Sequence, residues 1–175
     1  MWSWIFAYKN GVLNTLLGTN IDWLNNIDNP YTLTWAVFIT ILWSAPCYGV
    51  VMYRAALSNV NPSLYEAASL DGANGFQKFW FITLPSIKSV TYFLILAGIS
   101  AGLTVFDQVT VLAPVQWTQV AGPDDAGLTI MYYIYLKGVE SNEMEYASVM
   151  SWALFVIMVV LSFVFIKLRN KAEVE

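Results

Sequence analysis

Residues Glu66–Pro85 read EAASLDGANGFQKFWFITLP and lie between two long apolar segments. Asn61 and Pro62 lead into the stretch as a cap residue followed by proline at the first helical position. Ser63 to Leu70 then holds good helix formers, with Leu64, Ala67 and Ala68 on one face. Asp71-Gly72 ends that helix, because glycine takes the left-handed cap conformation without strain. A second short helix is predicted over residues 74–81, with Phe76, Phe79 and Trp80 on a common side. Pro85 then opens the next apolar segment, where its missing N–H costs least. The stretch therefore reads as a helix–turn–helix lying against a membrane. It offers a small-residue surface at Ala67 and Ala68 and one carboxylate, Glu66.

The flanks decide the fold class. Of 175 residues, 58% are apolar and only 11% charged, and the charges cluster between long uncharged runs. Tyr31 to Tyr53, Ser89 to Phe106 and Tyr146 to Ile166 contain no Asp, Glu, Lys or Arg. A bilayer core needs about 20 helical residues, so each run spans or nearly spans it. The second, the shortest, extends to Leu112 only by taking in Asp107. The expectation is an all-α membrane protein with three transmembrane helices, at residues 31–57, 87–112 and 146–167 of a single domain. Residues 1–30 and 113–145 are the outer loops, residues 58–86 the loop holding the helix–turn–helix, and residues 168–175 a tail.

Charge gives the orientation. Arg54, Lys78 and Lys88 lie in or beside the central loop, and Lys167, Arg169 and Lys171 follow the third span. The other segments hold only Lys9 and Lys137, against Asp22, Asp28, Asp124, Asp125, Glu140, Glu143 and Glu145. The positive-inside rule puts the central loop and the C-terminus in the cytoplasm. That leaves the first thirty residues outside with nothing ahead of them to carry them across. The simplest account is a C-terminal part of a longer protein with Met1 internal, and a genuinely short protein is the alternative. In the outer segment, Gly122-Pro123-Asp124-Asp125 is a turn signal. Thr129 to Leu136 reads as a short interfacial helix, with Tyr132, Tyr133 and Tyr135 at headgroup level.

Catalysis finds little support. There is no histidine and one cysteine, Cys47, which removes most metal sites, most nucleophilic chemistry and any disulfide framework. No G-x-x-x-x-G-K-[ST] loop occurs, so this chain does not bind and hydrolyse ATP by that device. Nothing in the sequence points to nucleic acid. Asp107 is the only carboxylate close to a span interior, and with no histidine and no second buried acid it makes no proton relay. In the first span Ile41, Ser44, Ala45 and Tyr48 share one helical face, as do Gly98, Ala101, Gly102 and Val105 in the second. Either face fits a polar solute path or ordinary helix–helix packing through small residues. Pro46 either kinks the first span or is tolerated in it. The central loop likewise fits either insertion into a groove of a partner or a plain amphipathic linker.

The spacing of Glu66-Ala67-Ala68, Gly72, Ile82 and Leu84-Pro85 resembles the EAA loop of permease subunits of type I ABC importers. Asp71-Gly72-Ala73 and Ile82 to Pro85 are similar to the carbohydrate-uptake branch. Trp4 to Phe6, Gly11 to Asn14 and Asp22-Trp23-Leu24 resemble that branch's outer loop, and Phe106-Asp107-Gln108 its FDQ pattern. Ala121-Gly122-Pro123 stands where the family has GGP, and Tyr146-Ala147-Ser148 follows Glu145 where the family has GYAS. The departures are Ala121, Glu145 and the missing N-terminal spans of a six-span core. The resemblance implies a prokaryotic inner-membrane permease for a sugar or polyol, working by alternating access. Glu66, Ala67, Ala68, Asp71, Gly72, Ala73, Ile82, Leu84 and Pro85 would couple it to cytoplasmic ATPase subunits, which bind the ATP. A second permease and an extracytoplasmic solute-binding protein would complete the assembly in the bilayer. The two small-residue faces align with the family's solute-lining faces, Tyr48 at an aromatic position. Polyamine, phosphate or amino-acid cargo, or a non-transporting membrane fragment, are the alternatives.

Overall fold

The computed structural model describes residues 1–113 and 120–174. They form helices joined by turns, with no strand among the described residues. Helices α1 (Trp2–Ile5) and α2 (Val12–Leu17) precede the long α3 (Tyr31–Ser58). The central loop holds α4 (Pro62–Leu70), α5 (Gly75–Lys78), a π-helical turn at Phe79–Thr83 and α6 (Leu84–Ser86). Then come α7 (Lys88–Leu103), α8 (Asp107–Leu112), a 3₁₀ turn at Pro123–Asp125, α9 (Ile130–Tyr135), a second π turn at Leu136–Glu140, and α10 (Met144–Val174). Among the described residues α3 and Met144–Lys167 of α10 are long and apolar enough to cross a membrane. The helix pair Gly75–Ser86 and Lys88–Leu103 makes a third candidate, bent by 64° at its break.

The chain divides into two compact units. The first comprises the described residues of Met1–Ser44 and Ser100–Val164, the second those of Ala45–Ile99 and from Phe165 onward. In the first, Phe6, Leu33, Ala36, Val37, Val109, Leu112, Ala121 and Tyr132 form one buried cluster. Ile134, Ala147 and Leu154 form another. Asn14, only 3% exposed, organises the turn around α2. Its amide donates to the carbonyls of Ala7, Tyr8 and Ile21, and its oxygen accepts from Thr19 Oγ1, Ile21 N and Trp23 Nε1. Every polar atom of this buried side chain is therefore satisfied, as burial requires. In the second unit Ile87 is the one buried residue between Ala45 and Ile99.

Four expectations change. Residues 87–112 do not form one helix: α7 stops at Leu103 and Phe106 leaves the helical region at φ −138°, ψ −58°. Thr129 Oγ1 donates to the Val105 carbonyl at 2.6 Å, which supplies that carbonyl with a partner outside any helix. Thr104 turns its hydroxyl back onto Ser100 O and Ala101 O. Asp107 consequently opens a separate short helix, where its carboxylate suits the positive helix end. Second, the helix after Asn74 does not end at residue 81 but continues through the π turn to Ser86. Pro85 thus lies near the end of the loop's second arm, and the next helix starts at Lys88. The π turn answers the proline: with no N–H at Pro85, the winding widens and Leu84 N bonds five residues back to Phe79 O.

Third, Tyr132 is not at a surface. It is 2% exposed, packs its ring near Phe106 and Tyr135, and donates its hydroxyl to Val120 O at 3.2 Å. Burial, with the nearby charge of Glu140, raises its pKa above the ordinary phenol value and keeps the hydroxyl a donor. Fourth, the last helix begins at Met144, two residues ahead of the expected span, and runs on to Val174. Elsewhere α3 passes through Pro46 uninterrupted. The 122–125 turn forms as expected, with Gly122 at φ 80°, ψ −172°, a region essentially reserved for glycine.

Candidate functional site

The loop between α3 and α7 builds a hairpin of two helical arms. Asn61 caps α4 by accepting from Ser63 N at 3.0 Å, with Pro62 in the first turn. At the other end Ala73 N bonds to Ala68 O at 2.9 Å and Gly72 N to Ser69 O at 3.1 Å. With Gly72 at φ 78°, this is a complete Schellman stop. Two residues later Asn74 and Gln77 form a capping box, each side chain accepting from the other's backbone N–H at 2.8–2.9 Å. One helix end and one helix start within four residues fix the sharp reversal of the chain.

The arms are joined by a closed circuit of polar contacts. Lys78 Nζ donates to Ser69 Oγ at 2.7 Å, and Ser69 Oγ donates to Tyr65 O at 2.7 Å. Tyr65 Oη and Thr83 Oγ1 are 2.9 Å apart, and Thr83 Oγ1 donates to Lys78 O at 3.4 Å. Either hydroxyl can serve as the donor in that pair. Tyr65 and Ser69 are four apart on α4 and so face the same way. Lys78 and Thr83 are five apart, and the π turn brings them onto one side. The outer side of the second arm carries an aromatic cluster, with Trp80 edge-on to both Phe76 and Phe79 at about 6 Å. Nearby, Tyr53 Oη donates to Thr91 Oγ1 at 3.3 Å, linking α3 to α7.

Of the residues expected to couple, Glu66, Ala67, Asp71, Gly72 and Pro85 are exposed, and Ala68, Ala73, Ile82 and Leu84 half-buried. The hairpin thus presents Glu66 and Ala67 outward on a backbone that is fully capped. Among the described residues no group of His, Cys, Asp or Glu could hold a metal ion. What the arrangement offers is a shaped, braced surface. The bracing residues Tyr65, Ser69 and Thr83 escaped the sequence reading, because hydroxyls on a helix give no periodic signal. Lys78 was legible there only as a positive charge.

The residues expected to line a solute path lie on α3, on α7 and just beyond it. Ile41, Ser44, Ala45 and Tyr48 do lie on α3, Ile41 half-buried and the others exposed. Ser44 Oγ is taken up by Thr40 O and Ile41 O. Gly98, Ala101 and Gly102 lie on α7, and an added Cβ at either glycine would meet open space. Val105 belongs to neither helix, so it leaves that face. An open groove in the first unit is instead lined by Phe106, Met131, Ile134, Tyr135, Ser148 and Ser151 among others, and contains none of the expected path residues.

Residues 1–170 match the family described as binding-protein-dependent transport system inner membrane component. The chain belongs to that family. The chain is 33% identical over 169 residues to the arabinooligosaccharides transport system permease protein of Bacillus subtilis, covering 97% of this chain and 51% of that protein. It is 32% identical over 166 residues to the lactose transport system permease protein of Rhizobium radiobacter, covering 91% and 53%. A bacterial ABC transporter involved in import of the acidic polysaccharide alginate shares its fold, with a TM-score of 0.80 at 22% identity over 97% of this chain and 58% of that one. The chain spans about half the length of the curated relatives it matches. The chain is therefore a membrane protein, helical with no strand among its described residues, and its relatives are named as transport permeases rather than enzymes.

Proposed function

We propose that this chain is the permease part of an ATP-driven, binding-protein-dependent importer whose cargo is a saccharide. The observation that carries the proposal is the exposed, fully capped hairpin at residues 61–86 within a chain of this family. A loop that keeps Glu66 and Ala67 outward and spends its polar groups on bracing itself is suited to receive a push from a docked subunit. In this reading the hairpin and the C-terminus are cytoplasmic, as the basic residues favour. The hairpin inserts into an ATPase subunit that binds the nucleotide. A second permease faces the solute path, and an external binding protein delivers solute. Saccharide cargo is supported by relatives named for arabinooligosaccharides, lactose, multiple sugars and sulfoquinovosyl glycerol. Exposed apolar side chains such as Trp43, Trp152 and Phe163 suit lipid or neighbouring helices.

The test purifies the full-length protein from its native membrane in mild detergent and reconstitutes it in vesicles. Co-purification of an ATPase, with ATP-dependent uptake of labelled arabinotriose or lactose, is the expected result. If wild type brings down no ATPase, the coupling reading fails. Uptake of an amine, phosphate or amino acid with no saccharide uptake overturns the cargo.

A further inference from the structure

We propose that Tyr65 and Thr83, within the circuit they share with Ser69 and Lys78, are positioning residues that make the hairpin a stiff transmission element for transport. The inference rests on the importer reading above. A lever transmits displacement only if it does not bend, and stiffness in a protein ordinarily comes from close packing. Between Ala45 and Ile99 the second unit has little of that packing, since Ile87 is the one buried residue there. Its hairpin arms are instead tied at two levels, Tyr65 to Thr83 and Ser69 to Lys78.

The circuit also has a direction. α4 carries the outward Glu66 and Ala67, with Tyr65 beside them in sequence. Thr83 lies at the end of the π turn, and its carbonyl accepts from Ile87 N at 3.2 Å, at the break where the chain bends into α7. A displacement of α4 therefore reaches the bend through the tyrosine–threonine contact, a contiguous physical link rather than mere proximity. The π turn is what permits this. In regular α-helical winding, residues 78 and 83 would point apart, and one of the two ties would be lost.

The experiment uses the reconstituted full-length assembly and reads labelled arabinotriose or lactose transported per ATP hydrolysed. Tyr65→Phe removes one hydroxyl and keeps the ring, and Thr83→Val removes the other and keeps the shape. Each is expected to lower the ratio by about threefold or more, the equivalent of one lost hydrogen bond. The ATPase should co-purify at the wild-type level in both. Thr83→Ser, which keeps the hydroxyl, should stay within about twofold of wild type, and the double variant should be no worse than the poorer single one. An unchanged ratio in Tyr65→Phe and Thr83→Val overturns the inference. So does a Thr83→Ser as poor as Thr83→Val, or a loss traced to missing ATPase. Absence of ATPase or of saccharide uptake in wild type overturns the importer reading instead, and this inference with it.

Discussion

The two units hold their shape by different physics. The first buries Phe6, Leu33 and Val109 completely and wraps them with half-buried aromatics such as Trp2, Trp23 and Phe106. The second leaves Leu70, Phe76 and Phe81 open and relies on caps, a Schellman stop and hydroxyl ties. Packing responds to volume, whereas hydrogen-bonded braces respond to the loss of single polar atoms. A core keeps one arrangement regardless of its neighbours. A braced but unburied hairpin keeps its own form while leaving its surface available to another protein.

Volume changes should break this contrast most visibly. Leu33→Ala opens a cavity at a fully buried site and is expected to cost about 3 kcal/mol, read as a lowered thermal midpoint of the detergent-purified protein. Ile82→Ala, at a half-buried hairpin position, should cost much less, and equal losses would end the distinction between the units. A sharper pair is Gly122→Ala against Gly72→Ala. Both glycines have positive φ, but a Cβ at Gly122 would run into Leu33 Cδ2 while one at Gly72 meets nothing within 4 Å. The first should lose about 2 kcal/mol or more, the second about 1 kcal/mol from backbone strain alone.

Next in size is Asn74→Ala, which removes one half of the capping box. It should cost about 1 kcal/mol and speed amide exchange at Gly75–Lys78, with residues of the first unit unaffected. The smallest effect belongs to the exposed pair Lys137–Glu143, 3.2 Å apart. The hydrogen bond and charge of Glu143 raise the Lys137 pKa above its ordinary 10.5. A raised folded pKa means the contribution is complete below the unfolded value and lost as pH rises through the folded one. The thermal midpoint of wild type should therefore converge on that of Glu143→Gln in strongly alkaline buffer. A gap that persists there would mean the pair acts through something other than charge.

Much of this was legible in the residues. Asn61-Pro62, Asp71-Gly72 and the Gly122-Pro123 turn carry local chemistry that acts wherever the chain goes, and each formed where expected. The long uncharged runs gave α3 to within a residue and the start of α10 to within two, although α10 runs on to Val174. The break after Leu103 was not legible, because the hydroxyl that takes the Val105 carbonyl comes from Thr129, far along the chain. The same reason hid the circuit between α4 and the π turn: Tyr65 and Thr83 are eighteen residues apart. Tyr132 was misjudged because an aromatic helix of interfacial composition can equally turn its rings inward, and composition does not record the choice.

Asn14 has a consequence for chemical ageing. This chain has one cysteine, so its α2 turn cannot be stapled covalently within the chain, and the amide of Asn14 does the gathering from Ala7 to Trp23. Reductants leave such a knot untouched, so the turn is indifferent to the redox state of its surroundings. Its weak point is hydrolytic. Loss of ammonia from that one amide would put a carboxylate at a site 3% exposed and strip the carbonyls of Ala7, Tyr8 and Ile21 of their donor. A mass increase of about one dalton would then break the hydrogen bonds that tie Ala7, Tyr8 and Ile21 together.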